Sequence, residues 1–254
     1  MLTSARAVGV VAIVVPAIDA AGWDGLLDLC APKPDLPASR HPKLYPALGL
    51  HPVALGRHRD EDLPALEQAL EKGANQNADQ SAGRQRPVAV GEIGLDFHDP
   101  ALMRDRQQVL CAAQLAIARN VGLPVLLHVR KAHDEMLQLL RKTRVVGGIA
   151  HAFNGSLEQA RHYIDLGFKL GFGGMLTFER SSRLRRLARA LPIDAIVLET
   201  DAPDLTVASH RFQRNSPEYL PEILASLAQV RDAAPEDIAV QTTANACAVL
   251  GLNE

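Results

Sequence analysis

Seven short apolar runs alternate along the chain with longer stretches of mixed polarity. The runs lie near residues 9–16, 44–49, 87–92, 124–128, 147–151, 168–172 and 195–200. Their hydrophobicity is continuous rather than alternating, which is typical of parallel strands covered on both faces by helices. The pattern therefore predicts an α/β chain built on a parallel sheet. The first run imitates a signal peptide, but it resembles the later runs, and we interpret it as a buried strand.

The stretches between the runs carry helix signals. Residues 63–73 are amphipathic and end at a glycine, and Ser156 and Gln159 have the spacing of a capping box. Asp99 and Pro100 have the residue types of an N-cap and a first helical position, so a helix is expected from there to about residue 120. Two helices near 217–230 and 235–250 are expected to follow one another without an intervening strand.

A metal-capable side chain stands at the carboxyl end of four of the runs. These residues are Glu92, His128, His151 and Asp201. In a parallel barrel the carboxyl ends of the strands meet on one face, so the four side chains are expected to converge. Two imidazoles and two carboxylates suit a divalent metal that activates water. Any one of them could be a core histidine or a helix cap, but four in the same register favour a metal site.

Catalytic and substrate-binding roles follow from the same positions. Asp201 is expected to accept a proton from the activated water, and Glu92 to serve two cations with its two oxygens. His51 also follows an apolar run, and it has two interpretations of equal weight, a hydrogen bond to a phosphate or carboxylate and a structural role. Arg130 and Arg214 are expected to belong to a basic rim that contacts phosphates. The other cationic side chains of this rim, in loops after the strands, are Arg57, His58, Arg59, Lys131, Arg180, Arg183 and Arg211.

Composition limits the kinds of binding partner that the chain is expected to have. The 254 residues are 47% hydrophobic and 22% charged, which is ordinary for a globular protein, and the net charge of −2 offers no global attraction to polyanions. A DNA substrate would therefore need the local basic rim. Three dispersed cysteines indicate a reducing compartment, the cytoplasm, and the apolar run at 8–18 is too short to span a membrane.

Five motifs resemble successive signatures of the TatD family of metal-dependent deoxyribonucleases. They are GLHP (49–52), GEIGLD (91–96), LLHVR (126–130), HAFNGS (151–156) and ETDAP (199–203), in matching order and spacing across essentially the whole chain. The resemblance implies one TIM-barrel domain over residues 1–254 that hydrolyses phosphodiesters in DNA. It also implies two divalent ions in the complete family site, of magnesium, manganese or zinc. Glu92, His128, His151 and Asp201 are its implied ligands, with Glu92 shared between the two ions.

The sequence departs from the family at its start. Family members begin with a strand that carries a His-x-His pair, whereas the first histidine here is His41. The first barrel strand and two ligands are therefore expected to be missing, through a start site placed too far downstream or a truncation rather than a real loss. One metal position would keep Glu92, His128 and His151, and the other Glu92 and Asp201.

The leading functional expectation is a metal-dependent hydrolase that cleaves phosphodiester bonds in DNA, as an exonuclease, with a metal-activated water as nucleophile. One alternative is a hydrolase for a small amide, ester or lactone on the same barrel. Many such barrels use a carboxylated lysine where Glu92 stands here, which favours the nuclease branch without fixing the substrate. The other alternative is a degenerate barrel that binds metal without turnover. No oligomeric state is predicted.

Overall fold

The computed structural model describes residues 1–32, 40–75, 85–99, 101 and 103–252. The strands in this part of the chain are β1 (Ala12–Pro16), β2 (Lys43–Leu48), β3 (Ala89–Asp96), β4 (Val125–Arg130), β5 (Gly148–Ala150), β6 (Phe168–Phe172) and β7 (Ile196–Leu198). All seven predicted strands are confirmed. The largest difference is at β3, which continues four residues beyond its expected end at Glu92.

Helices separate the strands as the sequence predicts. They are α1 (Leu2–Ala7), α2 (Trp23–Cys30), α3 (Asp62–Asn75), α4 (Arg104–Val121), α5 (His133–Lys142), α6 (Leu157–Asp165), α7 (Ser182–Ala190), α8 (Leu220–Arg231) and α9 (Pro235–Leu250). The capping box at Ser156 and the consecutive helices α8 and α9 are confirmed. The expected start of α4 at residues 99–100 is wrong. Asp99 instead accepts a hydrogen bond from the Ala101 amide in a local turn, and α4 begins at Arg104.

Some predicted features lie largely outside the described residues. The segments 31–43 and 73–86, which resemble surface loops by composition, fall mostly there, and so does Pro100. None of the helices in the described part of the chain has the length and apolarity needed to cross a membrane.

The described residues separate into two compact units. The amino-terminal unit comprises residues 12–32 and 43–148, and the carboxyl-terminal unit comprises residues 1–11, 40–42 and 149–252, as far as these are described. The prediction of one domain over residues 1–254 stays a prediction.

In the amino-terminal unit, β1 to β4 pair in parallel and in chain order. Helices α2, α3 and α4 lie between them along the chain, and such crossover connections are what a parallel sheet requires. Strand β3 is buried along its whole length. Strand β1 was expected to be buried on both faces, and this is wrong, because every one of its residues keeps some exposure. Within this unit its strand neighbour is β2.

In the carboxyl-terminal unit, β6 and β7 pair in parallel, with Gly171 opposite Val197. Helix α9 is attached to β7 by the buried Asn245, whose amide donates hydrogen bonds to the carbonyls of Ile193 and Ile196. A buried amide that satisfies two main-chain carbonyls fixes the position of the backbone that they belong to. Helix α9 therefore holds the start of β7, and the turn before it, in place.

Candidate functional site

The pairing of β3 with β4 brings an acid and a histidine together. Gly94 lies opposite His128 in the register, and Glu92 lies two residues earlier on the same strand. The register shifts between Val90 and Ile93, so Glu92 sits at a β-bulge, a feature that commonly re-aims a side chain at a functional site. Glu92 and His128 therefore lie within their strands, whereas the sequence placed each at the end of a strand.

The His128 ring lies between two carboxylates. Its Nδ1 is 3.2 Å from Glu92 Oε1, and its Nε2 hydrogen-bonds Asp96 Oδ2 at 3.2 Å. Of these two contacts, only that of Nε2 with Asp96 has the geometry of a hydrogen bond, and a carboxylate oxygen only accepts, so Nε2 donates and Nδ1 would be the nitrogen available to a cation. This is the carboxylate–histidine arrangement that orients metal-binding imidazoles.

Gly94 makes the close approach of the two strands possible. Its φ of 148° is in the region that favours glycine, and a Cβ at this position would lie 1.9 Å from the main-chain oxygen of His128. No other residue fits beside that carbonyl without moving β3 away from β4.

His51 belongs to the same cluster but faces Glu92 with its protonated nitrogen. Its Nδ1 accepts a hydrogen bond from the Val53 amide at 3.1 Å, so its Nε2 must carry the proton. That Nε2 lies 3.3 Å from Glu92 Oε1. Ligand-capable atoms of His51, Glu92 and His128 lie within 4.8 Å of one another, so proximity alone would make His51 a metal ligand. The hydrogen on Nε2 leaves no lone pair there for a cation.

Two buried glutamines of α4 hold the backbone beside these residues. Gln114 exchanges two hydrogen bonds with the main chain of Leu50, next to His51, and Gln107 does the same with Asp96. They are seven residues apart, so they project from one face of the helix two turns apart. Helix α4 thereby positions the ends of both β2 and β3.

A second cluster forms in the carboxyl-terminal unit around His151. The ring Nδ1 lies 2.9 Å from Glu199 Oε1, which also accepts a hydrogen bond from the Ala152 amide, and Nε2 lies 3.7 Å from Asp201 Oδ2. The Glu199 carboxylate places the proton on Nδ1, so Nε2, which faces Asp201, would be the nitrogen available to a cation. Gly171 provides the room, since a Cβ there would lie 2.1 Å from Glu199 Oε2.

The loop that carries Asp201 is held in a left-handed backbone conformation. Asp201 has a φ of 57°, and the fully buried Asn215 donates to the carbonyls of Thr200 and Asp204 on either side of it. Lys131, directly after β4, and Ala152, directly after His151, also have positive φ. Non-glycine residues in this region cost energy and concentrate at functional sites, which agrees with the position of both histidines.

Some cationic side chains of the expected basic rim lie close to carboxylates. Arg130 is half exposed and 4.0 Å from Asp96, and Arg57 forms a 3.0 Å ion pair with Asp19. His58 is buried and its Nε2 donates to the His51 carbonyl, so it acts on the backbone. Arg214 is exposed, and its guanidinium contacts the thioether of Met1 at 4.0 Å. Its charge is therefore available for a phosphate.

The donor chemistry fits a divalent cation. The four predicted ligands form two pairs of one imidazole and one carboxylate, Glu92 with His128 and Asp201 with His151. Each imidazole has a further carboxylate behind it, from Asp96 or Glu199. Nitrogen and oxygen donors in this combination bind zinc or manganese, and the carboxylates also suit magnesium.

Several of these residues are not predicted by looking for polar side chains at strand ends. Asp96 lies four positions after Glu92, and Glu199 lies two positions before Asp201. These even spacings match the two-residue period of a strand, and this period is the signal that could have found them. Gln107, Gln114 and Asn215 act on main-chain atoms, for which the sequence has no pattern.

Comparison with known proteins identifies the family. The family model for "TatD related DNase" matches residues 1–251. A metal-dependent hydrolase from Escherichia coli K12, YjjV, is 38% identical over 239 residues, which cover 94% of this chain and 85% of the relative. Its crystal structure superposes with a TM-score of 0.86 at 36% identity, over 99% of this chain and 91% of that one. The 3'-5' ssDNA/RNA exonuclease TatD of Klebsiella pneumoniae is 38% identical over 173 residues, or 65% of this chain and 66% of the relative.

These matches confirm the predicted fold class, an α/β barrel of the metal-dependent hydrolase type. They also confirm the resemblance carried by the five motifs. The chain belongs to the family of TatD-related DNases and is a metal-dependent hydrolase.

Proposed function

We propose that this hydrolase cleaves phosphodiester bonds in DNA, as an exonuclease. The observation that carries the proposal is the repeated unit of an imidazole between two carboxylates, found around His128 and again around His151. Such units hold divalent cations in hydrolytic sites, and phosphodiester hydrolysis needs cations because charge develops on the phosphate oxygens.

We assign Glu92, His128, His151 and Asp201 as metal ligands, with Asp96 and Glu199 orienting the two imidazoles. A bound divalent ion would act as a Lewis acid on a phosphate oxygen and lower the pKa of water. The number of ions, two, is part of the proposal, because the two oxygens of Glu92 can serve two cations.

Asp201 is the candidate proton acceptor. Its side chain is about one-third exposed and faces His151, so it can reach both solvent and the ligand nitrogen. The two hydrogen bonds from Asn215 to the main chain around Asp201 hold the side chain in this position before substrate binds. His51 faces Glu92 Oε1 with its Nε2–H at 3.3 Å, so it would support this carboxylate from the side rather than bind the cation.

Cysteine chemistry does not compete with this assignment. Burial raises the pKa of the Cys111 thiol to about 12 and that of Cys30 to about 11, so neither supplies a thiolate nucleophile near neutral pH. All three cysteines are free, and we infer a reducing compartment, the cytoplasm, as the place of action.

Nucleic acid is favoured as substrate by two observations. One relative, which the chain matches over 66% of the relative's length, carries the name 3'-5' ssDNA/RNA exonuclease. The exposed Arg214 stands on the same loop as Asp201, where a phosphate contact would be useful.

The test compares His128→Ala with a matched histidine variant, His162→Ala. His162 lies in the last turn of α6 and belongs to neither cluster. The chelated proteins are reloaded with Mg²⁺, Mn²⁺ or Zn²⁺, and metal content is measured beside cleavage of end-labelled single-stranded DNA. We expect His128→Ala to lose bound metal and nearly all cleavage, and His162→Ala to keep both.

Equal metal content in His128→Ala and the parent would contradict the ligand assignment. Hydrolysis of a small ester or lactone by a parent that cleaves neither DNA nor bis(p-nitrophenyl) phosphate would establish the small-molecule alternative. A parent that binds metal and hydrolyses none of these substrates would be the degenerate barrel. Polarity of cleavage is given by comparing 5'-labelled with 3'-labelled strands.

A further inference from the structure

One aromatic ring of this chain stands almost entirely in solvent. Phe212 is 88% exposed, the highest value among the large apolar side chains of the described residues. The chain has only six phenylalanines, and among the other five, four are buried and Phe178 is half-buried. Leaving a phenylalanine ring in water gives up about 1.5–3 kcal/mol that its burial would contribute. An exposed ring in a chain this poor in aromatics requires an explanation.

Fraying of the loop does not explain the exposure. Two residues before Phe212, the His210 ring stacks on Tyr219 with centroids 4.0 Å apart and an interplanar angle of 9°. Three residues after it, Asn215 is fully buried and clamps the main chain near Asp201. The Gln213 amide donates to the His210 carbonyl across the turn. The ring is therefore presented by a loop that is fixed on both sides.

The backbone at Phe212 is strained as well. Its φ of 67° is in the left-handed region, which glycine or asparagine adopts at much lower cost than phenylalanine. Strain of this kind persists where the surrounding structure enforces it, and it clusters at functional sites. Two separate costs, exposure and strain, thus fall on one residue in the loop that also carries Asp201.

The charges around the ring identify what it could hold. The Arg211 guanidinium lies over the ring, 4.4 Å from its centroid. Arg214 lies two residues after Phe212 in the chain. Residues 205–217 contain no acid. An aromatic face combined with arginines is the chemistry that holds single-stranded nucleic acids, because the ring stacks on a base while the guanidinium groups attract the flanking phosphates.

We propose that Phe212 is a stacking platform for an unpaired nucleobase of a single-stranded nucleic acid. The proposal rests on the nuclease function proposed above and deepens it, since it assigns one residue to the binding of substrate bases. Bases in a duplex are already stacked on their neighbours and leave no face for the ring. The Arg211 side covers one face of the ring, and the base would occupy the opposite one.

The experiment measures binding without turnover, in buffer without divalent metal. Fluorescence anisotropy gives the Kd of a labelled 12-nucleotide single strand, of an abasic strand of equal length and charge, and of a duplex. The variants are Phe212→Ala, Phe212→Trp and a matched control, Val240→Ala, which removes another exposed apolar side chain from α9. Thermal melting by circular dichroism checks that all of them fold.

We expect Phe212→Ala to weaken binding of the single strand about 5- to 150-fold, the equivalent of one stacked base. Phe212→Trp should bind it at least as tightly as the parent, and Val240→Ala should match the parent. On the abasic strand, Phe212→Ala and the parent should bind alike, because no base remains for the ring to hold.

Other outcomes overturn the inference. Equal binding of the single strand by Phe212→Ala and the parent removes the ring from recognition. An equal loss on the abasic strand shows that the ring orders its loop rather than holding a base. Anionic phospholipid vesicles serve as a further ligand. If Phe212→Ala loses binding to the vesicles and to none of the strands, the ring is a membrane contact. A parent that hydrolyses bis(p-nitrophenyl) phosphate yet binds none of the strands overturns the inference and the DNA substrate while leaving the phosphodiesterase chemistry intact.

Discussion

At the scale of single residues, the position of one hydrogen separates a ligand from a donor. His51 and His128 both face Glu92 Oε1, at 3.3 and 3.2 Å, and proximity treats them alike. Their other ring nitrogens differ, because His51 Nδ1 accepts from the Val53 amide and His128 Nε2 is held by Asp96. A backbone N–H only donates, so His51 Nδ1 is unprotonated, and a carboxylate oxygen only accepts, so His128 Nε2 is the donor. Both rings are thus Nε2–H tautomers, and they face Glu92 with opposite nitrogens, His51 with Nε2 and His128 with Nδ1.

This difference predicts distinct responses to metal. In long-range ¹⁵N–¹H correlation spectra of the histidine rings, His51 should show the Nε2–H tautomer both before and after Zn²⁺ is added. His128 should carry its proton on Nε2 throughout, and its Nδ1 resonance should shift when metal binds. His51→Gln identifies the His51 signals and should cost about 10- to 100-fold in activity or metal affinity, as loss of an outer partner typically does. Loss of the Nε2 proton from His51 on metal addition would make it a ligand.

The residue scale also shows how far sequence reasoning reaches. The four candidate ligands are predicted from runs of apolar residues, because a polar side chain at the end of such a run stands out. The tautomers depend on hydrogen-bond partners, the Val53 amide for His51 and the Asp96 carboxylate for His128, and the hydrophobic pattern does not show which atoms pair. The sequence leaves His51 between two roles for this reason, and its hydrogen bond from Val53 separates them.

At the scale of elements, the site depends on small residues in the strands as much as on the ligands. Gly94 lets β3 approach β4, and Gly171 in β6 leaves space for the Glu199 carboxylate beside β7. The strands themselves follow from hydrophobic continuity, so all seven could be predicted. The β-bulge at Glu92 could not, because a register shift is decided by pairing between strands and leaves no mark on the hydrophobic pattern of one of them.

Gly171→Ala tests this dependence in β6. The new Cβ would lie 2.1 Å from Glu199 Oε2, so the carboxylate must leave His151 and the Ala152 amide. The clash is with the end of a side chain, and we therefore expect the protein to fold while hydrolysis falls about 10- to 100-fold. Kinetics on a small phosphodiester and thermal melting measure the two effects.

Gly25→Ala is the matched control for this substitution. Gly25 lies in α2, where a Cβ meets nothing within 4 Å, so the change should raise stability by about 0.5–1 kcal/mol and leave hydrolysis unaltered. Unchanged hydrolysis in Gly171→Ala would mean that Glu199 does not orient His151.

At the scale of the whole molecule, charge works against the proposed substrate. The chain has 27 lysines and arginines against 29 acids, and several rim arginines are already paired with carboxylates. Affinity for DNA must therefore come from a few unpaired cations and from stacking rather than from a general field. Composition gives the net charge but not which arginines are paired, so the predicted rim could be drawn only as a set.

Arg214→Ala tests whether one such cation contacts a phosphate. Arg214 is exposed and makes a weak contact with the Met1 sulfur, at 4.0 Å. Neutralising one phosphate contact to a single strand contributes about 0.7 to the slope of log K against log salt. We expect the variant to bind single-stranded DNA more weakly at low salt and to show a slope shallower by about that amount, measured by anisotropy between 50 and 200 mM salt. Arg141→Ala is the control, since Arg141 lies in the last turn of α5, just ahead of β5 and so away from the carboxyl ends of the strands. An equal slope for Arg214→Ala and Arg141→Ala would remove Arg214 from the substrate contacts and leave the affinity to the remaining rim and to Phe212.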